Sequence, residues 1–139
     1  MKSSTMTPPT PSKGLHITLW IFQVLLGAMF IMAGAMKSFT PIDQLAAKAP
    51  WAADLPGLVR FIGISELLGG IGLLLPAITR IKPILTPIAA SALALVMVLA
   101  TAYHISKGEN SVIGVTIGMA AVAIFIAWGR FKKAPIQPK

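Results

Sequence analysis

Apolar residues gather into four long runs, and the charged residues lie almost wholly between them. Residues 15–36, 83–106 and 110–129 carry no charge at all. Residues 58–79 form the remaining run, broken by Arg60 near its start and by Glu66 inside it. A helix that crosses a bilayer needs about 20 mostly apolar residues. The pattern therefore predicts an all-α integral membrane four-helix bundle with little room for a separate soluble domain. Ala33-Gly34-Ala35 resembles a small-x-small cleavage site, but the apolar stretch before it is longer than the roughly 7–15 residues of a signal-peptide core. The first run is thus expected to remain as a helix.

The connections differ in kind. Residues 80–82, between Pro76 and Pro83, read as a tight turn. Residues 38–57 form a long loop, within which Thr40-Pro41-Ile42-Asp43 has the look of a helix start: an N-cap, proline at N1 and an acid at N3. A short surface helix over 41–48 is expected there, followed by Pro50, Trp51 and Pro56 leading back into the membrane. Both ends, 1–13 and 131–139, are rich in Ser, Thr, Pro and Lys. They are expected to be disordered or loosely membrane-associated, as a cytoplasmic N-terminus and a basic cytoplasmic tail flanking a membrane domain over 14–130.

Helical spacing sorts the faces. Gln23, Gly27, Phe30, Gly34 and Lys37 recur at intervals of four and three, so they share one stripe of the first span. Small residues let membrane helices approach closely, which makes this the packed stripe. In the second span, Gly63, Glu66, Gly69 and Gly70 share a face, whereas Ile64, Leu68, Ile71 and Leu75 suit lipid. Glu66 is thus expected to point at a neighbouring helix. Leu93, Met97, Ala100 and His104 align on the third span. Gly114 and Gly118 stand at small-xxx-small spacing on the fourth, a motif that serves either packing within the bundle or a homodimer.

Composition and charge sharpen the picture. Only 12% of the 139 residues are charged, against about 25% in soluble domains. The net charge of +8 sits at the ends of apolar runs and not on an amphipathic element or among stacking aromatics, so a nucleic-acid partner is rejected and the lipid bilayer is the partner expected. Lys2, Lys13, Arg80, Lys82, Arg130, Lys132, Lys133 and Lys139 fall on one side of the membrane. Lys37, Lys48, Arg60 and Lys107 fall on the other. The positive-inside rule then places both termini in the cytoplasm. Trp20 and Trp128 lie near that side, Trp51 and Tyr103 near the outer one. The Arg130-Phe-Lys-Lys run reads mainly as an orientation signal, with anionic-lipid contact besides. There is no cysteine, which excludes disulfides, thiol redox chemistry within the chain and thiolate-bound metal.

Candidate chemistry centres on Glu66. An acid at membrane depth costs roughly 2.5–3.5 kcal/mol on insertion scales and is seldom lipid-facing. With eight residues at ~1.5 Å each, it lies about 12 Å below the outer start of its span. Lys37 ends span one, and His104 ends span three, on the same outer side. Lys37, Glu66 and His104 are therefore expected to converge in the outer half of the bundle. Glu66 has three readings: a structural ion pair or hydrogen bond locking spans one and two, a proton carrier or ligand contact, or, least favoured, a protonated lipid-facing acid. Lys37 alone reads as an interfacial anchor, His104 alone as an end-of-helix polar residue, and Gln23 as an interhelical hydrogen bond. Arg60, six residues before Glu66 and about 120° round the helix, is expected to snorkel to headgroups and not to pair with it. Asp43 reads as a cap, Asp54 and Glu109 as solvated loop acids. His16 lies near the cytoplasmic end, far from His104, which argues against a two-histidine haem in one chain.

The stretches "RFIGISELLGGIGLLLP" (60–76), "AASALALVMVLATAYHISKGE" (89–109) and "AWGR" (127–130), with "AGAMKSF" (33–39) and "PWAADLPGLVRFIG" (50–63), resemble the DoxX-like family of small bacterial four-helix membrane proteins. Glu66 and His104 stand where that pattern usually shows Glu and His. The resemblance implies a multi-pass protein of the bacterial inner membrane. It also implies a link to oxidoreductase systems, since relatives include a membrane subunit of thiosulfate:quinone oxidoreductase and members linked to oxidative-stress complexes. A membrane subunit or accessory of an oxidoreductase, with membrane quinone as its cofactor and a partner subunit beside it, is the first expectation. A small proton-coupled transporter or permeability factor is the second, although small multidrug exporters place their key Glu in the first span, which here has none. A non-catalytic membrane assembly protein is the third.

Overall fold

The computed structural model describes residues 13–48, 50–108 and 110–138. Expectations for residues 1–12, Glu109, Lys139 and the side chains of Lys48 and Trp51 lie outside what is described. Among the described residues the fold is wholly helical. The elements are α1 (Lys13–Phe39), α2 (Ile42–Lys48), α3 (Trp51–Asp54), α4 (Pro56–Thr79), α5 (Leu85–Ser106) and α6 (Asn110–Trp128), continued by a π-helical turn (Gly129–Lys133). Four helices, Lys13–Phe39, Pro56–Thr79, Leu85–Ser106 and Ser111–Lys133, are long and apolar enough to span a bilayer. The protein is thus a multi-pass membrane protein in contact with lipid.

The long helices run up, down, up and down. Along α1 and α4 the contacts pair Gly27 with Gly70 and Leu74, and Gly34 with Gly63 and Leu67, so the helices are antiparallel. Any Cβ at Gly34 would run into the α4 backbone at Leu67 and Gly63. The expected glycine stripe therefore sets how close these two helices lie. Gly69 against Leu93 and Gly72 against Ala89 order α4 on α5 in the same antiparallel way. Thr101 on α5 donates to Thr116 on α6 at 2.7 Å, and Phe22 meets Phe125 edge-to-face at 5.8 Å, joining α1 to α6. The core between the helices holds Leu26, Phe30, Leu73, Leu93, Met97 and Ile126. Ile64, Leu68, Ile71 and Leu75 face outward as expected.

Proline supplies the local detail at the α4–α5 end. Pro76 is buried inside α4 and has no N–H, which leaves the Gly72 carbonyl without its helical donor. Thr86 Oγ1 lies 3.3 Å from the Gly72 oxygen and 3.4 Å from that of Leu73. Gln23 Nε2 also donates to Leu73 O at 2.9 Å, the interhelical bond expected of it. Side chains from neighbouring helices thus serve carbonyls at a proline break, as the absence of water in a bilayer requires. The helix then ends at Arg80, which is left-handed (φ 58°) and returns its N–H to Pro76 O at 2.9 Å.

Two expectations shift. The short helix begins at Ile42 and not at Pro41, whose carbonyl accepts from Gln44 and Leu45 at 3.1 Å; the turn α3 follows it, and Leu45, Ala52 and Val59 pack together between α2, α3 and α4. At the far end, residues 131–138 are not structureless. The π turn runs to Lys133, Ala134 is buried, and Arg80 donates from Nε to the Gln137 carbonyl at 2.8 Å.

Candidate functional site

Lys37 and Glu66 meet where α1 ends against α4. Lys37 Nζ donates to Glu66 Oε1 at 2.8 Å, with the Glu66 side chain 2% exposed and that of Lys37 32% exposed. The backbone makes this contact possible. Gly63, one turn from Glu66, has no Cβ, and one would strike Lys37 Cβ. The lysine stem therefore lies flat on α4 and its ammonium reaches the acid. Arg60 does not pair with Glu66, as expected, but neither does it simply reach for headgroups: its Nη1 donates to the Lys37 carbonyl at 3.0 Å. It thereby serves an orphan carbonyl of the last α1 turn and places a cation at the negative end of that helix.

The ion pair lines a cavity of about 430 Å³ bounded by all four long helices. Ala33 and Lys37 contribute from α1; Leu58, Phe61, Ile62 and Glu66 from α4; Met97, Ala100, Tyr103 and His104 from α5; Thr116 and Met119 from α6. Lys37, Glu66 and His104 thus share one chamber, and Ala100 leaves space beneath the imidazole. Tyr103, read from sequence only as an interfacial ring, is a wall of the same chamber. Its ring lies edge-to-face to His104 at 5.8 Å and 5.7 Å beneath Lys107 Nζ. The volume falls in the usual range of ligand pockets, about 300–1,000 Å³. The walls are mainly apolar, with Lys37, Glu66, Tyr103, His104 and Thr116 as the polar groups among them, so the chamber suits a ligand with an oxygen-bearing head on an apolar body.

A second polar centre lies at the opposite end of the bundle. Arg130 is 2% exposed. It donates from Nε to Gln23 Oε1 at 2.5 Å and from Nη1 to Ala134 O at 2.8 Å, and Nη1 lies 2.9 Å from His16 Nδ1. A guanidinium can only donate, so Nδ1 of His16 is the acceptor and that ring carries its proton on Nε2. The Trp20 ring stands 5.6 Å from the guanidinium carbon. Beyond the orientation signal expected of its run, Arg130 ties the α6 end to α1. Its partner is 107 positions away, a separation that no local spacing betrays. Among the described residues no group of three or more His, Cys, Asp or Glu is placed to hold a metal.

Gly114 and Gly118 make no close contact within the bundle: a Cβ at either position would meet nothing within 4 Å, and both line an open groove between α6 and α1, with Phe22, Leu25 and Met29 across it.

No curated protein and no solved structure gives a significant match to the chain. The model described as the DoxX-like family matches residues 21–128, which takes in the ion pair and every wall of the chamber. This membrane protein belongs to the DoxX-like family.

Proposed function

We propose that the protein is a membrane subunit or accessory of an oxidoreductase system and that its chamber receives the head of a quinone. The observation that carries this reading is the Lys37–Glu66 ion pair set into an otherwise apolar cavity beside Tyr103 and His104. A quinone head presents two carbonyl oxygens that need N–H or O–H donors, and Lys37, Tyr103 and His104 carry such donors around an apolar space. When bound, a quinone supplies redox chemistry in which protons travel with electrons. Lys37 Nζ has three N–H bonds, one of them committed to Glu66, and a second is available to orient a carbonyl oxygen. Glu66 fixes the ammonium in place and is the group that takes or gives a proton at the chamber wall. His104, at the helix end, is the relay toward the aqueous face. Leu58, Phe61 and Met97 exclude water from the head.

In this reading the charge distribution orients the bundle with both termini in the cytoplasm of a bacterial inner membrane, the chamber in the outer half and α2 on the outer surface. The open α6 groove bearing Gly114 and Gly118 is the surface offered to the partner subunit or to a second copy. The transporter reading keeps the same residues but asks Glu66 to exchange protons with both sides of the membrane, so that solute uptake and not quinone turnover is its readout. The test supplies an electron donor that the partner subunit oxidises and compares decylubiquinone reduction in membranes holding the chain with its genomic neighbours, wild type against Glu66→Gln. The rate is expected to fall about tenfold or more, or ~1.4 kcal/mol of transition-state stabilisation. An unchanged rate removes Glu66 from the reaction. Proton-driven solute uptake in liposomes that vanishes in the same variant would transfer the assignment to transport.

A further inference from the structure

We infer that the chamber opens sideways into the bilayer between α4 and α5, and that its occupant is a membrane-dissolved amphiphile that enters from the leaflet around the Lys37 end of α1. Phe61 on α4 is 68% exposed and Leu99 on α5 is 61% exposed, yet both line the cavity. A side chain that borders interior space while facing the surroundings stands at a rim. These two stand on opposite sides of the α4–α5 seam, joined by Leu58, which is also exposed.

The seam changes character along its length. Near the turn it is shut: Gly72 abuts Ala89, Gly69 abuts Leu93, and Thr86 reaches the Gly72 carbonyl. Farther along, the facing residues, Ile62 and Glu66 on α4 and Val96 and Ala100 on α5, become walls of the cavity. The hairpin is therefore closed at its turn and parted toward the other end. In a chain that spans a membrane, a rim made of Phe61, Leu99 and Leu58 meets acyl chains. A water-soluble solute would have to cross hydrocarbon to arrive there, whereas an amphiphile already in the leaflet slides in and meets the Lys37–Glu66 pair on the chamber wall. This inference rests on the reading of the chamber as a ligand site, but not on the ligand being a quinone.

The test uses the full chain in phosphatidylcholine nanodiscs containing a phosphatidylcholine that bears a diazirine on one acyl chain. A carbene inserts only into what it touches. Adducts are expected at Ala33 and Met97, which line the chamber or its wall, as well as at lipid-facing Ile64 and Leu68, and none at the core residues Phe30 and Leu73. Ala100→Trp, which fills the space, should lower the Ala33 and Met97 adducts several-fold and leave those at Ile64 unchanged. Adducts confined to lipid-facing residues would overturn the inference. So would labelling of Ala33 and Met97 by a sulfonated, membrane-impermeant diazirine in preference to the lipid one, which would mark an aqueous mouth. Excess decylubiquinone separates the two sources of ligand. Loss of the chamber adducts in its presence supports sideways entry and the quinone together; chamber adducts that persist undiminished uphold sideways entry for a phospholipid chain and defeat the quinone reading.

Discussion

Single residues reveal which polar groups in this chain are structural. Gln23 bridges two helices at once, donating to Leu73 O and accepting from Arg130 Nε. The guanidinium it serves already has one nitrogen, Nη2, buried without a partner. Replacing Gln23 by Leu would orphan a further N–H of a buried cation, and a buried unsatisfied donor costs about 1–3 kcal/mol, more when charged. Thermal unfolding in detergent should show Gln23→Leu as clearly destabilised, whereas Thr18→Ala, which loses only an exposed bond to Gly14 O, should melt close to wild type. Equal melting of the two variants would contradict the staple. At this scale the sequence was half informative. Its stripe arithmetic put Gln23 and Glu66 on packed faces, and both are buried. It could not find Arg130, because a terminal cation followed by two lysines has the local signature of an interfacial charge, and its burial depends on a glutamine and a histidine from the other end of the chain.

Helices, as elements, are fixed by where glycine stands. The α1–α4 pair rests on Gly34 and Gly63, where an added Cβ would collide with backbone, which cannot yield, and at Gly63 with the Lys37 stem as well. Overpacking of this kind typically costs about 1–3 kcal/mol. Gly34→Leu should therefore force α1 from α4, lower the melting temperature and break the Lys37–Glu66 contact. Gly118→Leu adds the same side chain to an open face and should leave monomer stability unchanged; a loss there equal to that at Gly34 would mean the α6 face is covered. The four spans and their lipid-facing stripes were legible because a helix pattern of apolar residues persists over twenty positions. The turn α3 was not: Trp51–Asp54 is one turn held by Pro50 and by burial of Ala52 against Leu45 and Val59, a tertiary cause with no periodic trace.

As a whole molecule, the up-down-up-down order places the α4–α5 turn and the π turn at one end, where Arg80 bonds to Gln137 O, and the α5–α6 turn at the other. The positive-inside rule assigns the first end to the cytoplasm. Since the chain has no cysteine, single substitutions report without background. Lys107→Cys should react with a membrane-impermeant maleimide on intact cells, and Ile81→Cys and Lys133→Cys only after permeabilisation; the reverse pattern would invert the bundle and put the chamber in the cytoplasmic leaflet.

The missing amide of Pro76 has a consequence of its own. By freeing a carbonyl that Thr86 then approaches, it adds to the polar stitching at one pole; the other is held by greasy side chains together with the Lys37–Glu66 pair, the Arg60 bond to Lys37 O and the Thr101–Thr116 bond. Such a bundle behaves like a clothes-peg: its spring is the sewn pole, its jaws are the parted one. On the reading of the chamber as a ligand site, a guest in the jaws is expected to alter amide hydrogen exchange in the helices nearest the Lys37 pole and to leave exchange around Pro76 and Thr86 unchanged.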